Sequence, residues 1–374
     1  MMWFKRVNKR NLISNILVIA ALFAFSILTS ENKTIPGIIN LIFIYSIAAL
    51  ALNLVCGCLG EFVLGHGGFL LAGYTATVVI VRKFSSFFKG SDFRSIFYTT
   101  RGDVLYPAGY GLIVAVVLIA ALITGVIGLI VGLIALGRLK GDYLAIVTLG
   151  INLIFVNICT NFEPLGGGSG KSITTLVSSK PIINAAFLVA VIVLILAFMK
   201  SRFGRNILAC RDDNIAAEAC GVPVTKTKVI AFTFASVIAG IAGALLAFST
   251  PQMPNQFNQD MSILFLIIIV LGGLGSLTGS VIASCLIVLY QKWFCVQSWV
   301  PTFFATNPKI VYGAILVLIM LFRTSGILGN SEFTWNWFYK KLKKLFDFIK
   351  DNIKSKKQNN QVKEDSHGSN STEN

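Results

Sequence analysis

Long apolar stretches alternate with short polar ones along the whole chain. Each apolar stretch has about 20 residues, the length that an α-helix needs to cross the hydrocarbon core of a bilayer. A membrane β-barrel would instead alternate polar and apolar residues within shorter segments. The predicted spans lie near residues 12–29, 36–56, 62–81, 107–136, 143–160, 182–199, 228–249, 261–275, 277–294 and 308–322. This pattern predicts an all-α, polytopic helical integral membrane protein with about 8–10 transmembrane helices.

Two glycine-rich stretches interrupt the pattern, one in each half of the chain. The first glycine break covers residues 57–68, and the second glycine break covers residues 272–279. Broken segments in both halves of a transporter often mark the substrate path, because unwound backbone is tolerated only where protein or water satisfies it. A tight turn between two spans would leave the same signal. The candidates for lining such a path, in and beside these breaks, are Asn53, Gly65, His66, Gly67, Asn152, Gly272, Gly273 and Gly275.

The polar loop, residues 201–223, lies between two long spans and must lie outside the bilayer. Asp212, Asp213 or Asn214 can cap the start of a short helix there, and Gly221 fits the left-handed position after its end. The expected product is one or two turns of helix with an alanine-rich face. Such a face can seat in a shallow groove of a soluble partner, although an ordinary capped loop helix has the same spacing.

Composition and charge support the membrane assignment. The chain has 374 residues, of which 55% are hydrophobic and 13% charged, and its mean hydropathy is +0.77. The net charge of +16 could suggest nucleic-acid binding, but the basic residues cluster at span ends and in the C-terminal tail, as the positive-inside rule expects. If the basic N-terminus is cytoplasmic and each predicted span crosses once, residues 200–227 face the cytoplasm. The basic loop 82–106 then falls outside, against the rule.

The chain divides into three predicted parts. Residues 1–330 form the transmembrane domain, and its first apolar run is too long for the core of a typical cleaved signal peptide. Residues 331–353 interleave aromatic and lysine side chains, which is typical of a basic amphipathic helix on an anionic membrane surface. Residues 354–374 are polar and are expected to be disordered.

Candidate chemistry within the spans is sparse. The seven cysteines contain no Cys-x-x-Cys pair and are interpreted as small buried residues, so neither a metal site nor a disulfide framework is predicted. No polar cluster indicates catalysis. His66 is an ionisable group at membrane depth, and it either serves function or is a neutral ring bonded to a backbone carbonyl. Asn53 and Asn152 could line a path or bond neighbouring helices.

Five stretches together resemble the permease subunits of ATP-binding-cassette (ABC) importers for branched-chain amino acids, the Liv-type family, and especially its LivM-like type. The stretches occur in the family's order over roughly residues 40–325. They are residues 52–69, 141–150, 166–170, 201–221 and 272–279.

The resemblance implies import of leucine, isoleucine and valine across the bacterial plasma (inner) membrane by a non-catalytic, multi-pass subunit. It implies two cytoplasmic ATP-binding subunits, a second homologous permease, and an external or periplasmic solute-binding protein as partners, besides membrane lipid and without nucleic acid. No cofactor is expected on this chain, since ATP binds the partner subunits. The polar loop resembles the family's coupling helix, which docks on the ATPase. The residues implied in that role are Arg205, Arg211, Asp212, Asp213, Ala216, Ala217, Glu218 and Gly221.

Two alternatives stay open at this stage. Related permeases carry urea, nucleosides or sugars, and a stand-alone secondary transporter would also be polytopic. A proton- or sodium-coupled carrier should have acidic residues within its spans, whereas here they lie at span ends or in loops, apart from Glu61. The glycine loop 165–172 is not a phosphate loop, because Leu165 stands where the Walker pattern needs glycine. Any ATP-derived energy must therefore come through another subunit.

Overall fold

The computed structural model describes residues 34–87, 99–101, 104–106, 110–137, 141–162, 165 and 181–296, together with 310–314, 317 and 321. The predicted first span, the surface helix 331–353 and the polar tail lie outside the described residues, as does most of the predicted span 308–322.

The described residues form helices joined by short connections. The helices are α1 (Thr34–Asn53), α2 (His66–Phe87), α3 (Tyr110–Ala135), α4 (Asp142–Asn161), α5 (Pro181–Lys200), α6 (Arg202–Asp212), α7 (Asn214–Ala219), α8 (Val224–Ser249), α9 (Gln259–Gly272) and α10 (Leu277–Lys292). A π-helix, Leu54–Leu59, extends α1, and 3₁₀ turns cover Pro254–Phe257 and Phe294–Val296.

Five helical segments within the described residues are long and apolar enough to cross a membrane. They are Pro36–Leu59, Ile113–Ala135, Tyr143–Asn161, Pro181–Lys200 and Val224–Ser249. The helices α9 and α10 are apolar but shorter. These helices coincide with predicted spans, so the prediction of an all-α polytopic membrane protein is confirmed.

A small β-hairpin, which the periodicity did not predict, lies between α2 and α3. Its strands β1 (Thr99–Arg101) and β2 (Val104–Tyr106) pair antiparallel, with Thr99 opposite Tyr106. Threonine, valine and tyrosine favour extended backbone, which accounts for strands in this polar connection.

Helix α1 forms the centre of the fold. In the span Pro36–Leu59, 94% of the most apolar window is buried, against 44% for the corresponding window of α3. A hydrophobic span buried on nearly every side must be surrounded by other helices, not by lipid. Helices α5, α8, α9 and α10 pack around α1.

Small residues bring α8 into backbone contact with its neighbours. A Cβ atom on Gly73 of α2 would lie 2.3 Å from the carbonyl oxygen of Gly240, and one on Gly128 of α3 would lie 1.8 Å from the hydroxyl of Ser236. Gly243 of α8 makes a third such contact, since a Cβ there would lie 2.1 Å from the carbonyl oxygen of Leu70. Close approach of this kind is how helices associate in lipid.

The two glycine breaks differ in form. In the first, the π-helix ends at Leu59, residues 60–65 are not helical, and α2 then begins at His66. In the second, residues 273–276 make a tight turn between α9 and α10, closed by a bond from the Ser276 amide to the Gly273 carbonyl at 3.1 Å. The first break is thus an unwound segment, and the second is a tight turn between two helices.

The first glycine break carries the start of α2 into the membrane interior. The His66 ring bonds through Nε2 to the carbonyl of Ala48 at 2.9 Å, and Ala48 lies midway along the span Pro36–Leu59. The partner carbonyl thus belongs to an intact helix and not to the broken segment. The amide of the next residue, Gly67, donates to Ser262 Oγ of α9 at 2.9 Å.

Candidate functional site

Two short helices make up the polar loop, where the sequence predicted one. Ser201 starts α6, because its hydroxyl accepts a bond from the Gly204 amide at 3.4 Å. Asp213 then separates α6 from α7. Its Oδ1 accepts from the amides of Ile215 at 2.8 Å and Ala216 at 3.2 Å, which satisfies the exposed start of α7.

The end of α7 is also fixed by the sequence. Gly221 has φ of +81°, the left-handed conformation that glycine adopts without steric cost. The Val222 amide donates to the Ala217 carbonyl at 3.0 Å, and the Gly221 amide donates to the Glu218 carbonyl at 2.9 Å. The predicted cap and stop of this short helix are confirmed.

The surface of α7 is apolar at its tip. Ile215 is 81% exposed, and Ala216, Glu218 and Ala219 are exposed beside it, while Ala217 is buried against the protein. A large apolar side chain held this far into solvent by two caps is a natural contact for another protein.

The loop is bonded to the first glycine break by Arg211. Its Nη1 donates to the Gly57 carbonyl at 3.2 Å, and its Nη2 lies 3.5 Å from Oδ1 of Asp212. Its aliphatic stem packs on Gly60, where an added Cβ would lie 2.8 Å from Cγ of Arg211. Arg205, by contrast, is exposed and donates to the Lys200 carbonyl at 3.3 Å.

A buried ion pair ties the same break to α8. The Nζ of Lys228 donates to Oε1 of Glu61, and the two side chains are only 8% and 13% exposed. Sequence reasoning marked Glu61 as an acid out of place but did not find its partner. The two residues are 167 positions apart, so no local pattern could have paired them.

Asn53 joins the two glycine breaks. Its Oδ1 accepts from the Gly275 amide at 2.8 Å, and its Nδ2 donates to the Ser276 carbonyl and to Ser280 Oγ, each at 2.9 Å. A Cβ on Gly57 would lie 2.3 Å from the Gly275 nitrogen, so the two backbones touch. Both ends of the Asn53 amide are therefore used in holding helices together.

Gly272 and Gly273 serve the turn of the second break. A Cβ on Gly272 would lie 2.4 Å from the carbonyl carbon of Gly279, so α9 and α10 meet backbone to backbone. Gly273 has φ of +107° and caps α9 through a bond from its amide to the Ile269 carbonyl at 2.9 Å. These two positions shape the turn, and neither presents a side chain to a path.

Asn152 is the candidate whose side chain stays without a bonding partner among the described residues. It is 1% exposed, and neither its Oδ1 nor its Nδ2 is hydrogen-bonded there. It lines a small, largely apolar cavity beside the start of α2. The cavity is lined by Gly65, Gly68, Phe69, Ile127, Val131, Thr148, Ile151, Asn152 and Phe155.

Glycine is required where the start of α2 meets α4 and the 3₁₀ turn Pro254–Phe257. A Cβ on Gly65 would lie 2.4 Å from the Thr148 carbonyl oxygen, and one on Gly67 would lie 2.6 Å from the Phe257 carbonyl oxygen. The structure thus brings Gly65 and Asn152 to one cavity. It places His66 and Gly67 on the other side of the same helix start, toward α1 and α9.

Comparison with known proteins gives a consistent result. A family described as the permease component of branched-chain amino acid transport systems matches residues 34–320. The high-affinity branched-chain amino acid transport permease LivM of Salmonella typhimurium is 28% identical over 358 residues, covering 86% of this chain and 75% of that protein. The probable LivM permease of Methanocaldococcus jannaschii is 25% identical over 311 residues, covering 76% of this chain and 90% of that protein.

A second permease type is also similar. The probable LivH permease of Methanocaldococcus jannaschii is 27% identical over 241 residues, covering 59% of this chain and 75% of that protein. No solved structure matches the chain.

Proposed function

The chain belongs to the family of permease components of branched-chain amino acid transport systems, and from this we propose that it is the LivM-like subunit of an ABC importer for leucine, isoleucine and valine. In this proposal the chain provides half of the membrane path, and a second, LivH-like permease provides the other half. Partner ATP-binding subunits hydrolyse ATP, and an external solute-binding protein delivers the amino acid to a complex in the bacterial inner membrane.

The observation that carries the coupling role is the exposed tip of the polar loop. A helix of six residues, Asn214–Ala219, is capped at both ends and presents Ile215 at 81% exposure. An apolar tip at the end of a rigid loop can fill a groove on an ATP-binding subunit, and Glu218 beside it can pair with a basic side chain there. Docking would let ATP-driven movement reach the membrane part.

The state of Glu61 favours an ATP-driven importer over a secondary carrier. Transporters driven by protons or sodium use acidic side chains that bind and release a cation. Glu61 is instead held by Lys228, with both side chains nearly buried. Its negative charge is already compensated, so it is a poor site for a transported cation.

The substrate path is assigned to the start of α2 beside Asn152. This helix begins near mid-span, and a helix N-terminus at that depth favours negatively charged groups such as an amino-acid carboxylate. The unpartnered amide of Asn152 adds hydrogen-bonding capacity next to it. The residues that line the small cavity there are mostly apolar, as expected beside a path for branched aliphatic side chains.

The deciding experiment is ATP-dependent uptake of labelled leucine into vesicles that contain this chain with its partner subunits and binding protein. Unlabelled valine should compete, whereas urea and uridine should not. Competition by urea or uridine would move the substrate to a related class, and uptake indifferent to ATP would overturn the importer assignment.

A charge reversal tests the docking tip within that assay. Glu218→Lys should leave the protein in the membrane and abolish uptake, because it opposes a basic groove on the ATPase. Arg202→Glu is the matched control, since Arg202 is an exposed charge at the far end of the loop. Normal uptake by the Glu218→Lys variant would contradict the docking role.

A further inference from the structure

We propose that Arg211 and Lys228 are positioning residues that tie the first glycine break to the polar loop, so that movement of the loop is passed to the break. The inference rests on the proposed docking of the loop on an ATPase. It adds the route by which the docked loop acts on the membrane part.

The break is held from two elements at once. Arg211, at the end of α6, donates to the Gly57 carbonyl at 3.2 Å. Lys228, in the first turns of α8, pairs with Glu61 four residues further along the break. Because α7 lies between α6 and α8 in the chain, Arg211 and Lys228 lie on either side of α7, the helix proposed to dock on the ATPase.

The ion pair is built to stay together. Both side chains are nearly buried, so neither charge can be solvated well if the pair separates. Loss of one partner leaves an uncompensated charge, and this is more costly than loss of an exposed pair. The segment around Glu61 is therefore expected to follow Lys228 when α8 or the loop shifts.

The break itself is the part that can deform. Residues 60–65 form no helix, and the π-helix before them is an irregular turn of a kind often found at functional sites. Gly60 has φ of +80°, and its missing side chain leaves room for the stem of Arg211. A pull at residues 57–61 can thus shift this segment without breaking regular helices.

The route continues into the membrane. Gly57 touches Gly275 of the second break, and Asn53 bonds to the same residue at 2.8 Å. At its far end the first break leads into the start of α2, beside the cavity lined by Asn152. Continuous contacts thus join the docking tip, Arg211, both glycine breaks and the proposed substrate path.

The experiment measures leucine uptake and ATP hydrolysis together in proteoliposomes that contain the full complex. Substitution of a residue needed only for folding lowers both rates in proportion to the amount of folded complex. Substitution of a positioning residue lowers the number of leucine molecules moved per ATP hydrolysed. We expect Glu61→Gln and Lys228→Gln to keep ATP hydrolysis and to lower this ratio about tenfold, given the sensitivity of buried pairs to loss of one partner. Arg211→Gln should also lower the ratio, because it removes the bond to the Gly57 carbonyl.

Rescue and controls make the test specific. The double variant Glu61→Lys with Lys228→Glu should recover most of the ratio, because it restores opposite charges. Lys226→Gln and Arg202→Gln remove exposed charges from the same region and should match the wild type. If a buried-pair variant fails to fold, Arg211→Gln still decides the matter, because its side chain is 39% exposed and its loss leaves no buried charge.

An unchanged ratio in Arg211→Gln, or a charge-swapped double variant no better than either single change, would overturn the route. If the proposed function itself is wrong, the same measurements give a different result. In that case the wild-type complex itself shows no ATP-dependent leucine uptake, and Glu218→Lys has no effect.

Discussion

The side chain of Asn53 holds the backbone of Gly275, 222 residues away, at 2.8 Å. This bond joins the π-helical end of α1 to the turn between α9 and α10. Together with the Asn53 bonds to Ser276 and Ser280, it makes one compact unit of the two glycine breaks. A single amide thus fixes how the two halves of the chain meet at the side of the polar loop.

Replacement of Asn53 by leucine should destabilise the protein. The change leaves the Gly275 amide without the acceptor that Asn53 provides, at a cost of about 1–3 kcal/mol, while the Ser276 carbonyl keeps its bonds from Ser280. Thermal unfolding of the purified protein in detergent should show a lower midpoint. An unchanged midpoint would mean that water or other groups replace these bonds.

Glycine at position 57 is predicted to be irreplaceable. A Cβ there would lie 2.1 Å from Asn53 Oδ1 and 2.3 Å from the Gly275 nitrogen, so even alanine must push the breaks apart. Gly57→Ala should therefore reduce both stability and uptake. Gly150→Ala is the control, because Gly150 of α4 has nothing within 4 Å and alanine should stabilise that helix by about 1 kcal/mol. Equal behaviour of the two variants would show that the contact is not tight in the working protein.

The short helix α7 could be predicted because its signals are local. Asp213, Gly221 and the alanines between them lie within nine residues, and each acts on its own backbone. Helix α6 was missed, although Ser201 is a good cap. It buries Gly204, Ile207 and Cys210 on one face, but its 11 residues are polar on average, so it does not stand out as an apolar stretch.

The pairings that define the site could not be predicted from the sequence. Arg211 meets Gly57 across 154 residues, and Lys228 meets Glu61 across 167. Such partners depend on the relative height of helices in the bundle, which is set by close packing at small residues such as Gly73 and Gly240. The sequence shows that helices will approach there but not which neighbour each one meets.

The rate at which Cys220 is chemically labelled should show whether the polar loop is docked. The interpretation of all seven cysteines as buried residues is wrong for Cys220, whose thiol is exposed at the end of α7, whereas Cys210 on α6 is buried. Burial raises the pKa of the Cys210 thiol, although the Lys228 charge opposes this, so little reactive thiolate forms there near neutral pH. A maleimide should label Cys220 in the isolated permease and label it much more slowly once the ATP-binding subunits are bound.

The control for this labelling is Cys220→Ser, which defines the background from the other cysteines. Labelling of Cys220 at the same rate with and without the ATP-binding subunits would place the docking surface elsewhere. The measurement needs no transport, so it separates assembly from activity.

Asn152 should be dispensable for stability but not for transport. Among the described residues its buried amide has no hydrogen-bond partner, and an unsatisfied buried amide costs about 1–3 kcal/mol. Asn152→Leu, which keeps the number and branching of the side-chain heavy atoms, should keep or raise the unfolding midpoint while lowering leucine uptake. Asn184→Leu is the contrasting variant, since the Asn184 amide donates to Asn40 Oδ1 at 2.9 Å and its loss should destabilise. Normal uptake by the Asn152→Leu variant would show that Asn152 is not part of the substrate path.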